Sequence, residues 1–231
     1  MQYVYIINML SKSIFLFFIL TLILFSFNSI RNTSELQAGA HRWKIKTSAE
    51  NLNKEQPKNI PLKQLLALPL FSSDYNFQDY ENRFIPIDIA PNLKEGDIIS
   101  TTGYLHLVAL EDGKKHKDGD FHIQLTLHSY WADSCFVIEI PYEKFVEVKE
   151  LKTLCEKNRK YIRDIILKTG REPAIPDTVI ENGVYVKVEG QLFYDANHAK
   201  GRKPKASPDL IQMRSYTAWE IHPVTHIELV N

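Results

Sequence analysis

The 231-residue sequence has few of the residues on which several recognisable protein classes depend. Its two cysteines are too few for a disulfide-rich scaffold or for a four-cysteine zinc site. It contains no glycine-rich nucleotide loop, no metalloprotease helix motif and no hydrolase nucleophile elbow. It has no excess charge of either sign, because 28 basic residues face 28 acidic ones. Overall charge therefore does not draw the chain toward nucleic acid.

The residues that are abundant favour a folded, β-rich protein. Hydrophobic residues make up 44% and charged residues 24% of the chain, which is ordinary globular composition and excludes a wholly disordered chain. The 11 tyrosines and 12 phenylalanines outnumber the 9 glycines, and aromatic residues favour strands. The length is sufficient for one domain with a sizeable core.

The first forty residues differ from the rest of the chain. Residues 14–27 read IFLFFILTLILFSF, without a charge and after Lys12. A basic residue before roughly 7–15 apolar residues is typical of an export signal, and residues 38–40 provide a small-x-small cleavage site. A retained membrane anchor is the equal alternative, because residues 3–10 could extend the run toward the roughly 20 that a spanning helix needs. We therefore expect an exported protein, periplasmic, envelope-anchored or secreted, with residues 1–40 as signal peptide or N-terminal anchor and linker.

The remaining chain divides into an irregular arm and a region of regular periodicity. Residues 41–95 are rich in Asn, Lys and Pro, whereas residues 96–231 alternate apolar and polar side chains. Strands are predicted at 98–111, 120–130, 135–140, 184–194 and 218–230, with one long helix at 146–168. The order β-β-β-α-β-β, with the helix between strands three and four, is that of the OB-fold. We therefore predict a mainly β, OB-like five-stranded barrel, with an open antiparallel sheet carrying one helix as the competing architecture.

Five short motifs occur in one order along most of residues 41–226. They read HRWKIKT at 41–47, DFH at 120–122, EIP at 139–141, FYD at 193–195 followed by His198, and EIHPV at 220–224. The series resembles a family of exported bacterial proteins of unknown function, with motifs H-x-W-K-x-K-T, D-Y-H, E-I-P, F-x-D-x-x-H and E-x-H-P-V. This resemblance implies export and a β-rich, OB-like domain. It implies no activity.

The predicted barrel brings four of these motifs to one end. Because neighbouring strands run antiparallel, the start of strand two, the end of strand three, the end of strand four and the start of strand five share one rim. Strand alternation places the polar side chains of these motifs outside the barrel core. We expect them to form one small surface patch beside the loops. The candidate residues are Asp120, His122, Glu139, Asp195, His198, Glu220 and His222.

Three interpretations of this rim cluster stay open. It can be a girdle of hydrogen bonds and ion pairs, or a divalent-metal site, for which Zn²⁺ is the first candidate because imidazole and carboxylate suit it. It can also border a binding site for an anionic ligand or single-stranded nucleic acid, since both rim loops are basic. The loop residues proposed as ligand-binding are Lys114, Lys115, Lys200, Arg202 and Lys203.

The sequence thus favours a binding function over an enzymatic one. The main prediction is an exported or membrane-anchored, envelope-associated OB-like module of unknown ligand. The alternative is a metal-dependent hydrolase, of nuclease or phosphodiesterase type, that uses the rim cluster. Cys135 and Cys155 can form a disulfide outside the cytoplasm, but two buried thiols, on a strand and a helix, are the favoured interpretation.

Overall fold

The computed structural model describes residues 42–52, 56–71, 77–111, 118–130, 134–174, 178–196 and 214–230. The predicted signal peptide or anchor, residues 1–40, lies outside the described residues. Among the described residues, no helix is long and apolar enough to cross a membrane. Residues Ala40–Asn231 form one compact unit, so the arm belongs to the same folded body as the strands that follow it.

Short elements of the arm precede the long strands and the main helix. The arm contains helix α1 (Trp43–Lys46), strand β1 (Lys58–Asn59), helix α2 (Leu62–Leu66), a 3₁₀ turn (Phe77–Tyr80) and strands β2 (Asp88–Ala90) and β3 (Leu93–Lys94). The body contains β4 (Ile98–Leu110), β5 (Phe121–Thr126), β6 (Ser134–Ile140), a 3₁₀ turn (Glu143–Phe145), α3 (Lys149–Tyr161) continued by a π-helical turn (Ile162–Ile166), β7 (Thr178–Tyr194) and β8 (Arg214–Leu229).

In the described part of the chain, five strands close a barrel in the order β4-β5-β6-β8-β7, with β7 also pairing with β4. Strands β6 and β8 pair in parallel, whereas the other four contacts around the barrel are antiparallel. Helix α3 lies between β6 and β7 in the chain. This is the strand order and helix position of an OB-like barrel, and the predicted fold class is confirmed.

Alternating apolar side chains fill the barrel. On β5, Phe121, Ile123 and Leu125 are fully buried, as the alternation of that segment predicts. Helix α3 contributes Leu151 and Cys155 to the same core. Cys135 on β6 and Cys155 on α3 are both buried thiols, as favoured from the sequence.

Three strand boundaries differ from the prediction by four residues or more. Strand β5 ends at Thr126 rather than at residue 130, and the early start of β7 has an identifiable cause. Strand β7 begins at Thr178 rather than at residue 184. Thr178 and Val179 also pair with β4, on the far side of a register shift at Glu181-Asn182-Gly183, a segment that resembles a turn. A Cβ at Gly183 would lie 2.5 Å from the His106 imidazole, so glycine is required for this close approach. Strand β8 likewise begins at Arg214 rather than at residue 218, so the segment between β7 and β8 is shorter than the predicted strand bounds imply.

A buried ion pair within the arm also contacts the barrel end, through the backbone of Tyr194. The guanidinium of Arg42 donates to both carboxylate oxygens of Glu95, at 2.6 and 2.8 Å, and both side chains are 0% exposed. Arg42 also donates to the Tyr194 carbonyl at the end of β7, at 3.0 Å. The Tyr194 amide in turn donates to Glu95 at 2.9 Å. These contacts hold α1 directly beside the motif-bearing end of the barrel.

Candidate functional site

Strand pairing brings five of the predicted site residues together. His122 on β5 stands opposite Glu139 on β6 in the ladder. Glu220 and His222 lie on β8, which pairs with β6 in parallel and places Glu220 opposite Val137. The expectation that all neighbouring strands run antiparallel was therefore wrong for this pair, because five strands cannot close a barrel through antiparallel contacts alone. Asp120 directly precedes β5, and its Oδ2 lies 3.4 Å from His222 Nε2. Three of the motifs found in the sequence therefore meet in one cluster.

The cluster is buried, so the expectation of a surface patch was wrong. Asp120 and His222 are 0% exposed, and Glu139 and Glu220 are 2% exposed. They alternate along the strands with core residues such as Ile138 and Ile221, as predicted, but Lys46 of the arm packs against Glu139 rather than leaving it open to solvent. The side-chain amide of Gln191 on β7 connects the arm with strand β8. It donates to the carbonyl of Ile45 on α1 at 2.9 Å and to the carbonyl of His222 at 3.2 Å.

The centre of the cluster consists of one imidazole among three carboxylates. His222 Nδ1 lies 2.9 Å from Glu139 Oε2 and 3.5 Å from Glu220 Oε1. The opposite ring nitrogen faces Asp120. The Phe193 ring packs edge-to-face on the imidazole, with centroids 5.8 Å apart, and forms an apolar wall. The ring of His222 is therefore held between acidic groups on both of its nitrogens.

Glu139 is shared between this centre and a more exposed edge. Its other oxygen, Oε1, accepts a hydrogen bond from His122 Nδ1 at 2.9 Å. The same nitrogen of His122 lies 3.6 Å from Glu111 at the end of β4. The side chains of His122 and Glu111 are 19% and 17% exposed, so this edge reaches solvent. The two oxygens of Glu139 thus face two different histidines.

The structure adds two residues that the sequence analysis did not assign to the site. Lys46 of α1 is buried, and its Nζ lies 3.7 Å from Glu139 Oε2. The ammonium also lies over the Phe193 ring, 5.6 Å from the centroid. Glu111 completes the exposed edge. Lys46 belongs to the motif at residues 41–47, and this motif was the one indication in the sequence that the segment could contribute to the site. The order of the strands does not predict where the arm packs, so Lys46 was not assigned to the cluster.

The remaining predicted residues lie beside the cluster or outside the described chain. Asp195 follows β7 and is buried, and its charge acts on both Lys46 and Glu220. The other predicted residues are in segments that the structure does not describe: His198, Lys114, Lys115, Lys200, Arg202 and Lys203.

Burial and close charges raise the pKa values of Asp120 and His222. Burial raises the pKa of Asp120 to about 8, and the neighbouring Asp118 adds to the effect. Burial and Lys46 both oppose a charged imidazole, yet the contacts with Glu139 and Glu220 raise the pKa of His222 to about 9. Both groups thus hold a proton more strongly in the folded chain than in an unfolded one.

Among the other groups of the cluster, Glu139 has a lowered pKa, whereas two other carboxyl groups and the Lys46 ammonium have raised pKa values. Burial by itself would raise the pKa of Glu139, but Lys46 and a hydrogen bond from His122 hold it well below its ordinary value. Burial disfavours the Lys46 ammonium, yet Glu139 and Glu220 raise its pKa well above the usual range. Burial raises the pKa of Glu220, and that of Glu111 to about 11. Acidic side chains at the cluster therefore outnumber basic ones, and among the carboxyl groups with a shifted pKa, all except Glu139 favour the protonated form.

Several polar atoms at the centre lack a hydrogen bond. Within the described part of the chain, the buried atoms without a hydrogen-bond partner include Asp120 Oδ2, Glu139 Oε2, Glu220 Oε1 and both ring nitrogens of His222. Buried polar atoms are normally paired, so a group of them at one point requires an explanation. Ligand atoms of Asp120, Glu139 and His222 all lie within 4.8 Å of one another. These buried acidic and imidazole groups could hold a metal ion.

Comparisons with known proteins do not assign this site. No protein-family model, no curated protein and no solved structure matches the chain. The resemblance to a family of exported bacterial proteins stays a prediction. What the site does must therefore be inferred from its own chemistry.

Proposed function

We propose that this protein is an exported, OB-like binding module that holds a divalent cation, with Zn²⁺ as the first candidate, among Asp120, Glu139 and His222. The observation that carries the proposal is the group of fully buried ligand atoms that lack hydrogen bonds and lie within 4.8 Å of one another. Two carboxylates and an imidazole are a donor set that zinc accepts.

A bound cation would compensate both the buried carboxylates of the cluster and their unsatisfied lone pairs. Withdrawing an ionised carboxylate from water costs several kcal/mol unless opposite charge and hydrogen bonds compensate. Here Asp120, Glu139 and Glu220 are buried together, while Lys46 and His222 provide the nearby positive charge. A divalent cation would displace the protons held by Asp120 and His222, compensate the carboxylate charge that this exposes, and accept lone pairs from atoms that make no hydrogen bond.

A purely structural girdle explains only part of the cluster. His122 and Glu139 do form the direct hydrogen bond that a girdle requires. At the centre, however, Glu139 Oε2 is 2.9 Å from His222 Nδ1 without hydrogen-bond geometry. Direct hydrogen bonding therefore pairs His122 with Glu139 at the exposed edge, but it leaves the buried polar atoms at the centre without hydrogen-bond partners.

Burial also favours binding over hydrolysis. A hydrolytic metal keeps a coordination position open to water and substrate. Asp120, Glu139 and His222 are buried, and the edge of the cluster that reaches solvent lies at Glu111 and His122. A bound ion that holds the barrel end together agrees better with this arrangement than a hydrolase does.

The export part of the proposal is supported by the apolar run at residues 14–27.

The test is a zinc titration of the full chain after removal of metal with a chelator. We expect about one Zn²⁺ per chain and thermal stabilisation on binding, because a ligand that binds only the folded state stabilises it. His222→Ala and Glu139→Gln should abolish both effects. The matched control is His226→Ala, which removes a half-exposed histidine from the same strand. A wild-type chain that neither binds nor is stabilised by Zn²⁺, Mn²⁺ or Ca²⁺, or equal losses in the control variant, would contradict the proposal.

A further inference from the structure

We infer that the Lys46 ammonium is the resident counter-cation of this site and competes with the metal ion for Glu139. The inference rests on the proposed function, because it describes how metal binding at that site is limited. It assigns to α1 a role beyond covering the cluster.

The contested atom is one carboxylate oxygen. Glu139 Oε2 lies 3.7 Å from the Lys46 ammonium and 2.9 Å from His222 Nδ1. The same oxygen belongs to a residue of the buried trio that could hold a metal, and it makes no hydrogen bond to another described residue. An ammonium 3.7 Å away provides charge without the short contact of a hydrogen bond. The oxygen is therefore neutralised by Lys46 but still has lone pairs that a metal ion could use.

Lys46 has few other means of compensating its own charge. Its side chain is 10% exposed and lies over the Phe193 ring, so water solvates it little. Besides Glu139, the charges that act on it most strongly are those of Glu220 and Asp195. All of these acidic groups border the metal trio or belong to it. A divalent cation would draw on the same negative charge that stabilises the ammonium.

The Lys46 ammonium and a metal ion bound to the same carboxylate would repel each other strongly, because water and salt screen buried charges poorly. Removing the ammonium should therefore strengthen metal binding even though it weakens the metal-free protein. This combination separates competition from a structural role. A lysine that only positions Glu139 would, on removal, weaken metal binding as well as stability.

The experiment measures the zinc dissociation constant of the full chain by competition with a chelator. Lys46→Met keeps an apolar side chain of similar length and should bind Zn²⁺ about tenfold more tightly, or better, than the wild type, since the removed repulsion acts at short range. Lys46→Arg keeps the charge and should stay near the wild-type value. The matched control is Lys44→Met, which removes an exposed lysine from the same helix.

The outcomes distinguish this inference from the proposed function. If the wild type binds zinc through His222 but Lys46→Met binds equally or more weakly, the inference is overturned and the metal site stands. Equal tightening by Lys44→Met would also overturn it, since the effect would then come from net charge alone. If the wild type binds no metal, both fail. Should Lys46→Met not fold, Lys46→Gln is compared with Lys46→Arg under the same criteria.

Discussion

Replacement of Arg42 by methionine should be strongly destabilising, although Arg42 belongs to the segment that the sequence suggests is irregular. Arg42 is fully buried and donates to both oxygens of Glu95, as well as to the carbonyls of Tyr80, Arg83 and Tyr194. Methionine would retain the apolar stem and remove every one of these donors.

The magnitude follows from what remains behind. Glu95 would stay buried, with the backbone amides of Ile85 and Tyr194 as its hydrogen-bond donors, at 2.7 and 2.9 Å. Breaking a buried pair by removing one partner typically costs about 3–5 kcal/mol, because the other charge is left uncompensated. That is a large part of the roughly 5–15 kcal/mol by which a domain is stable. We therefore expect Arg42→Met to lower the free energy of unfolding by about 3–5 kcal/mol.

Urea denaturation followed by tryptophan fluorescence measures this change, since Trp219 is buried in the barrel. Arg83→Met, which removes an exposed arginine of the same arm, is the control and should change stability by less than about 0.5 kcal/mol. The double variant Arg42→Met/Glu95→Met should recover part of the loss, because no buried charge is left unpaired. A loss below about 1 kcal/mol for Arg42→Met, or a double variant that loses the sum of the single effects, would refute the reasoning.

Two further predictions concern pH and thiol reactivity. The pKa of His222 is raised to about 9, so its stabilising contribution is complete below about pH 6.5 and is lost as the pH rises toward 9. The metal-free protein should therefore have a lower urea midpoint at pH 9 than at pH 6.5, and a midpoint that rises would contradict this. Burial raises the pKa of the Cys155 thiol to about 12, so it should resist a thiol reagent at pH 8 until urea unfolds the chain. Rapid modification of Cys155 in the native protein would contradict that prediction.

The barrel could be predicted because its signals are local. The alternation of Phe121, Ile123 and Leu125 with polar residues defines a strand with one buried face, and the element order then selects the OB-like topology. Strand order also predicts which motif residues approach one another, as the pairing of His122 with Glu139 illustrates. Each of these inferences uses only neighbouring residues or the order of elements along the chain.

The burial of the site could not be predicted in this way. It depends on where the arm packs, and that position is fixed by contacts between distant segments, such as Arg42 with Tyr194 and Gln191 with Ile45. No periodicity in residues 41–95 reports these pairs. Lys46 was missed for the same reason, since it reaches Glu139 only after the arm has folded over the barrel.

X-ray diffraction can show directly whether zinc binds in the buried cluster. Crystals of the full chain grown with Zn²⁺ would be measured at the zinc absorption edge, and the anomalous difference map would show where the metal lies. We expect a peak at about 2.0–2.2 Å from ligand atoms of Asp120, Glu139 and His222, the normal zinc distances to oxygen and imidazole nitrogen. A zinc peak elsewhere on the protein, with no density for metal among these three side chains, would contradict this expectation.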